Sequence, residues 1–127
     1  MSTPISEHMT LQPHTIGKDQ PLSKASALMR EHTIRHLPVL HGGQLLGILS
    51  NRDVYLVESL NDVDPDTVTV EEAMTPDPYS VTPEVALVDV VGRMAEKKYG
   101  AAVVMNGREV AGIFTTIDAL RLLGERL

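Results

Sequence analysis

Two four-residue runs in this chain set a carboxylate three positions after a hydroxyl: Ser50-Asn51-Arg52-Asp53 and Thr115-Thr116-Ile117-Asp118. Each follows a Gly-Ile pair in an apolar stretch that reads as a strand, and each opens a stretch that reads as a helix. A strand-to-helix junction turns backbone N–H groups and the positive end of the helix dipole outward, which suits an anion. A carboxylate beside it can accept two hydrogen bonds from a ribose cis-diol, as acidic residues do in dinucleotide folds. An N-cap hydroxyl can reach the sugar or a phosphate. The same spacing also has a purely structural meaning, because Ser or Thr at an N-cap with an acid three residues on is a capping box or a close variant. The residues by themselves leave both readings open.

Other chemistry is missing. With no Cys there can be no disulfide, thiolate metal site or Cys nucleophile. Gly17-Lys18 lacks the upstream glycine of a phosphate-cradling loop, and neither G-x-S-x-G nor H-E-x-x-H occurs. His32 and His36 have the four-residue spacing of helical metal ligands, but Ile34, Leu37 and Pro38 end the helical period there, so no metal site is expected. Nothing assembles a nucleophile, a base and an orienting group, and an enzyme is not expected. The net charge of -6 and a pI near 5.2 argue against a nucleic-acid polymer as partner. Lys97-Lys98 is the closest thing to a basic run, and it reads as cations at a helix C-terminus. No stretch is apolar enough to be a signal peptide or a membrane span, so a cytoplasmic location is the default expectation.

The two runs occupy matching places in an internal repeat. Shifted by 65 positions, Met9-Thr10 falls on Met74-Thr75, and the alignment runs without a gap from Glu7/Glu72 to Asp53/Asp118. Identical pairs include Pro13/Pro78, Leu22/Leu87, Met29/Met94, Val39/Val104, Gly42/Gly107 and Gly47/Gly112. Each copy predicts the order β-α-β-β-α. An extended piece (His14-Thr15-Ile16 or Tyr79-Ser80-Val81) leads to a helix with apolar residues at Leu22, Ala25, Leu28 and Met29, or Leu87, Val90, Val91 and Met94. Thr82 before Pro83 reads as the N-cap of the second of these helices. Strands Leu37 to Leu40 and Ala101 to Met105 precede glycine turns, and return strands follow at Leu45 to Leu49 and Val110 to Phe114. The expected organisation is repeat 1 over 5–60, a solvated linker over 61–69 without apolar period, and repeat 2 over 70–124. One copy could hardly stand alone, so the fold expected is α+β, with the two repeats packed around a pseudo-two-fold axis.

The tandem units, with Ile34-Arg35-His36-Leu37-Pro38-Val39 and Gly47-Ile48-Leu49-Ser50-x-x-Asp53, resemble the CBS (cystathionine-β-synthase) domain family. The second copy carries Tyr99-Gly100-Ala101-Ala102-Val103-Val104 and Gly112-Ile113-Phe114-Thr115-x-x-Asp118 in the same order, with Val103 in place of Pro38. The resemblance implies two clefts between the repeats that hold adenosine ligands such as AMP, ADP, ATP or S-adenosylmethionine. One cleft would combine Thr10, His14, Ile34, Arg35 and His36 with Ile113, Thr115 and Asp118. The other would combine Thr75, Tyr79, Tyr99, Gly100 and Ala101 with Ile48, Ser50, Arg52 and Asp53. In family terms, Asp53 and Asp118 would hold ribose hydroxyls, and Ile34 and Tyr99 would flank the adenine. Arg35 and His36 would favour phosphorylated ligands in the Asp118 cleft, while Ile117 in place of Arg52 removes one phosphate ligand from it.

No cofactor is required on this reading; the regulatory ligand is an adenosine nucleotide, with or without Mg. The chain leaves no room for a fused effector, so regulation of a partner protein in trans is expected, from a homodimer. The alternative is a structural homodimerisation protein with vestigial clefts, joined through apolar helix faces that include Leu120, Leu122 and Leu123.

Overall fold

A computed structural model describes residues 3–127. After a 3₁₀ turn at Ile5–Glu7 come β1 (Thr10–Leu11), β2 (Ile16–Gly17), α1 (Leu22–His32), β3 (His36–His41), β4 (Gln44–Ser50) and α2 (Asn51–Glu58). There follow α3 (Val70–Ala73), β5 (Thr75–Pro76), β6 (Ser80–Val81), α4 (Leu87–Lys97), β7 (Ala101–Asn106), β8 (Glu109–Thr115) and α5 (Thr116–Arg126). The chain forms two compact units, one from His14–Pro78 and the other from the segment up to Pro13 together with Tyr79–Leu127.

The His14–Pro78 unit carries a sheet in the order β2-β3-β4-β5, with β2 parallel to β3 and the other pairs antiparallel. The turn between β3 and β4 is Gly42-Gly43, whose φ values of 58° and 80° meet the positive φ that a type I′ turn needs at both central positions. Leu22, Ala25 and Met29 bring the apolar stripe of α1 onto Leu37, Val39 and Leu49 of the sheet, with Val54 and Val70 completing the core. Thr33 closes α1 in the left-handed conformation (φ 54°) and donates its N–H to the Met29 carbonyl.

The other unit repeats this in the order β1-β8-β7-β6. Its core is Ile5, Val90, Met94, Ala102, Val104 and Phe114. Among the described residues the fold thus contains two four-stranded mixed sheets and five α-helices, as the α+β expectation requires.

Four local features differ from expectation. The segments that open the two copies, β1 and β5, are strands, and each is added to the far side of the hairpin of the other copy. The linker is not wholly solvated: Val68 packs on the core, the Leu22 N–H donates to the Val68 carbonyl at 2.9 Å, and Val70, just beyond, is fully buried. Thr82 is not a helix N-cap. Ala86 is instead extended (φ −64°, ψ 135°) and its neighbours are held by the N-terminal segment, through Ile5 N–H to Val85 O and Leu87 N–H to Thr3 O, both at 2.8 Å, so α4 starts only at Leu87. Within α4, Val91 faces outward at 38% exposure rather than joining the core.

Candidate functional site

Both hydroxyl–carboxylate runs are capping boxes. The Asp53 N–H donates to Ser50 Oγ at 3.1 Å and the Ser50 N–H donates to Asp53 Oδ2 at 3.0 Å. In the other copy, the Asp118 N–H donates to Thr115 Oγ1 at 3.3 Å and the Thr115 N–H donates to Asp118 Oδ2 at 2.8 Å. Capping does not exhaust the carboxylates. Every hydrogen bond to Asp53 and Asp118 falls on Oδ2. The Oδ1 atoms accept none among the described residues, although the exposed Arg121 guanidinium stands 4.0 Å from that of Asp118. The two readings of the sequence are therefore compatible: one oxygen starts the helix and the other is left as an acceptor.

The exchanged strands bring Thr75 to the first run and set Thr10 beside the strand that leads into the second. Thr75 pairs with Ile48 across β4 and β5, and its hydroxyl donates to Asp53 Oδ2 at 3.4 Å. Thr10 pairs with Ile113 across β1 and β8. Both approaches depend on a missing side chain. A Cβ on Gly47 would lie 2.6 Å from Met74 Sδ and 2.7 Å from the Thr75 carbonyl oxygen; one on Gly112 would lie 2.5 Å from Met9 Sδ and 2.8 Å from the Thr10 oxygen.

The loop after the first helix of each copy is tied to the start of the last one. The Asn51 N–H donates to the Arg35 carbonyl at 2.8 Å, and the Thr116 N–H donates to the Gly100 carbonyl at 3.1 Å. Ile34 packs on the core from this loop, and Ala101 is buried at the start of β7. His36 begins β3 opposite Ser50. Burial pushes its pKa below the ordinary 6.5; Asp53 opposes the shift and Arg35 adds to it. The folded chain keeps this ring neutral where the unfolded chain would protonate it. The associated stability is complete above pH 6.5 and is lost as pH falls through the lowered value. Melting temperatures measured from pH 7.5 downward should therefore fall less steeply for His36→Gln than for the parent chain, and parallel curves would remove His36 from the acid response.

Two aromatic pairs were not foreseen. His32 does not work with His36, since it ends α1 and stacks instead on His14, with ring centroids 3.8 Å apart. Tyr79 and Tyr99 stack at 5.1 Å, which covers one face of Tyr99. Burial raises the Tyr79 hydroxyl pKa, with Arg93 opposing the shift and Tyr99 and Asp89 adding to it. Among the described residues no three His, Asp or Glu side chains are grouped to hold a metal ion.

The CBS-domain model matches the chain twice, over residues 5–58 and 70–125. The chain belongs to the CBS-domain family. It is 35% identical over 105 residues to inosine-5'-monophosphate dehydrogenase of Korarchaeum cryptofilum, covering 82% of this chain but only 21% of that enzyme. Its fold matches that of an acetoin utilization protein from Vibrio cholerae with a TM-score of 0.88 at 28% identity, covering 99% of this chain and 93% of the other. It also matches the CBS domain pair of protein MJ0100 in complex with 5'-methylthioadenosine and S-adenosyl-L-methionine, with a TM-score of 0.86 at 26% identity over 96% of this chain and all of that one. No helix of the described residues is long and apolar enough to cross a membrane.

Each CBS repeat also has a pocket between its two long helices. The one on α1 and α2 has a volume of about 570 Å³ and is lined by Arg35 and Arg52, which the sequence had suggested for different clefts. The one on α4 and α5, about 410 Å³, is lined by Lys98, Tyr99, Gly100, Thr116 and apolar side chains.

Proposed function

We propose that this CBS pair is a regulatory module that binds adenosine ligands between its repeats and acts on a partner protein in trans. The observation that carries the proposal is the unused Oδ1 of Asp53 and of Asp118, each beside an N-cap hydroxyl at a strand-to-helix junction. A ribose hydroxyl is the donor that such an acceptor fits. The methylthioadenosine and S-adenosylmethionine bound to the MJ0100 pair support the same ligand class. In this reading Thr10, His14, Ile34, Arg35 and His36 complete the Asp118 site, and Thr75, Tyr79, Tyr99, Gly100 and Ala101 complete the Asp53 site. The free face of Tyr99 would stack on adenine, and Arg35 with His36 would make the Asp118 site the better one for phosphorylated ligands.

Thermal shift with adenosine, AMP, ADP, ATP, S-adenosylmethionine and methylthioadenosine tests the proposal, since a ligand at 100 times its Kd stabilises by about 2.7 kcal/mol. At least one compound should raise the melting temperature. Asp118→Ala should weaken AMP by roughly tenfold or more, through loss of a charged hydrogen-bond acceptor, and Arg35→Ala should weaken AMP but not adenosine. No shift with any of the six would overturn the reading.

One observation favours a structural homodimer instead: Ile117, Leu120 and Leu123 lie 37%, 60% and 53% exposed along α5. Light scattering together with the same ligand panel separates the two, because a dimer that no adenosine compound stabilises is the structural outcome.

A further inference from the structure

The helix pockets of the two CBS repeats differ in charge: the second has Lys98 as its one charged lining residue. That on α1 and α2 is lined by Arg30, Arg35 and Arg52, with Tyr55 and Glu58. In the equivalent pocket Ala95, Gly100 and Leu120 replace Arg30, Arg35 and Tyr55, and Ile117 stands at the position of Arg52. One backbone arrangement thus holds three guanidiniums in one copy and none in the other.

These charges form no ion pairs among the described residues: none of the three arginines has a carboxylate within 4.0 Å, although the chain has 17 acidic residues to 11 basic ones. Only Arg30 has a side-chain partner, donating from Nη1 to Ser26 Oγ at 3.3 Å. Arg30 has an ordinary reason for its place, in the last turn of α1, where a cation complements the dipole. Arg52 does not: it stands in the first turn of α2, where the dipole opposes a positive charge. Three cations that repel one another, one of them against a helix dipole, make an arrangement that an anion relieves.

We propose that this pocket binds a phosphate group, at a site within the first CBS repeat that adds Arg30 to Arg35 and Arg52, which the family resemblance places in the two adenosine clefts. The lining carries three positive charges against the single carboxylate of Glu58. The resulting two-unit excess matches a phosphate, which bears about −1.5 to −2 at neutral pH. Guanidinium forks give paired N–H···O bonds to phosphate oxygens. Tyr55, 74% exposed at the pocket, presents a ring to whatever carries the phosphate. The phosphate is either free or part of a nucleotide.

The test follows the Nε–Hε NMR signals of the arginines in the full chain during titration with inorganic phosphate, AMP and adenosine. Arg35 is common to this site and to the proposed adenosine site, whereas Arg30 belongs to this site alone. Phosphate and AMP should each shift the Arg30 signal saturably, and adenosine should leave it unmoved. Arg30→Gln, an exposed change to a good helix former, should weaken phosphate binding roughly tenfold. Tighter binding of AMP than of phosphate at Arg30 identifies a nucleotide as the source, and equal binding identifies free phosphate. The proposal is overturned if neither compound shifts Arg30 saturably, or if Arg30→Gln binds phosphate as the parent does. If none of adenosine, S-adenosylmethionine and methylthioadenosine binds while phosphate shifts Arg30, the adenosine reading fails and this one stands.

Discussion

Ile5→Ala should destabilise the unit built on Tyr79–Leu127 by about 2–5 kcal/mol, the range for emptying a buried Ile site. Ile5 is fully buried, and it lies in the same cluster as Val90, Met94, Ala102, Val104 and Phe114. Its backbone is held as firmly as its side chain, with the N–H donating to the Val85 carbonyl at 2.8 Å. Leu11, in the same N-terminal segment, is the control: it is 68% exposed, so Leu11→Ala should cost little. Hydrogen exchange during denaturation would give the regional readout. Amides of β7 and β8 should lose protection in Ile5→Ala, while those of β3 and β4 change less. Equal melting of the Ile5 and Leu11 variants would refute a core role for the N-terminal segment.

Gly47→Ala and Gly112→Ala should have the second largest effect, about 1–3 kcal/mol each from overpacking. The added methyl cannot be accommodated by a side-chain rotation alone, because it meets backbone carbonyl oxygens at 2.7 and 2.8 Å as well as methionine sulfurs. The short strand opposite must move. In Gly47→Ala that carries Thr75 away from Asp53, and in Gly112→Ala it carries Thr10 away from Ile113. Each variant should therefore lose both thermal stability and exchange protection in the displaced strand, at Thr75 or at Gln12, whose N–H donates to the Ala111 carbonyl at 3.4 Å. An alanine variant that melts with the parent would show that the strand tolerates the methyl, and the glycine would then have no positioning role.

Much of this fold can be read from the sequence, for identifiable reasons. The hairpins are legible because glycine supplies the positive φ of their turns, and α1 because Leu22, Ala25 and Met29 keep helical spacing with nothing to interrupt it. The capping boxes are legible from Ser50-x-x-Asp53 and Thr115-x-x-Asp118, because capping is decided within four residues. The exchanged strands are not legible, since two residues such as Thr10-Leu11 carry no period and their partners lie far along the chain. Thr82-Pro83 misleads for a related reason: a good local start signal is overruled by backbone bonds from Thr3 and Ile5. The helix α3 could have been found, since Thr69-x-x-Glu72 has the spacing of a capping box and the Thr69 N–H does donate to Glu72 Oε2 at 3.1 Å. At the candidate site, the residue types could be chosen from sequence, but the free oxygen of each carboxylate, the stacking of Tyr79 on Tyr99 and the convergence of Arg30 on Arg35 and Arg52 depend on side-chain directions that no spacing specifies.

The exchange of short strands also gives the chain an order of completion during synthesis. His14–Pro78 is one uninterrupted stretch, so all the partners of its sheet exist once Pro78 has left the ribosome. The N-terminal segment has no such neighbour: Ile5 awaits Phe114, and Thr10 awaits Ile113. Closing so long a loop is slow even though its entropy grows only with the logarithm of length. During translation, then, Ile5 is made well before every partner in its core, and this apolar side chain travels uncovered until the stretch from Val90 to Phe114 has followed it.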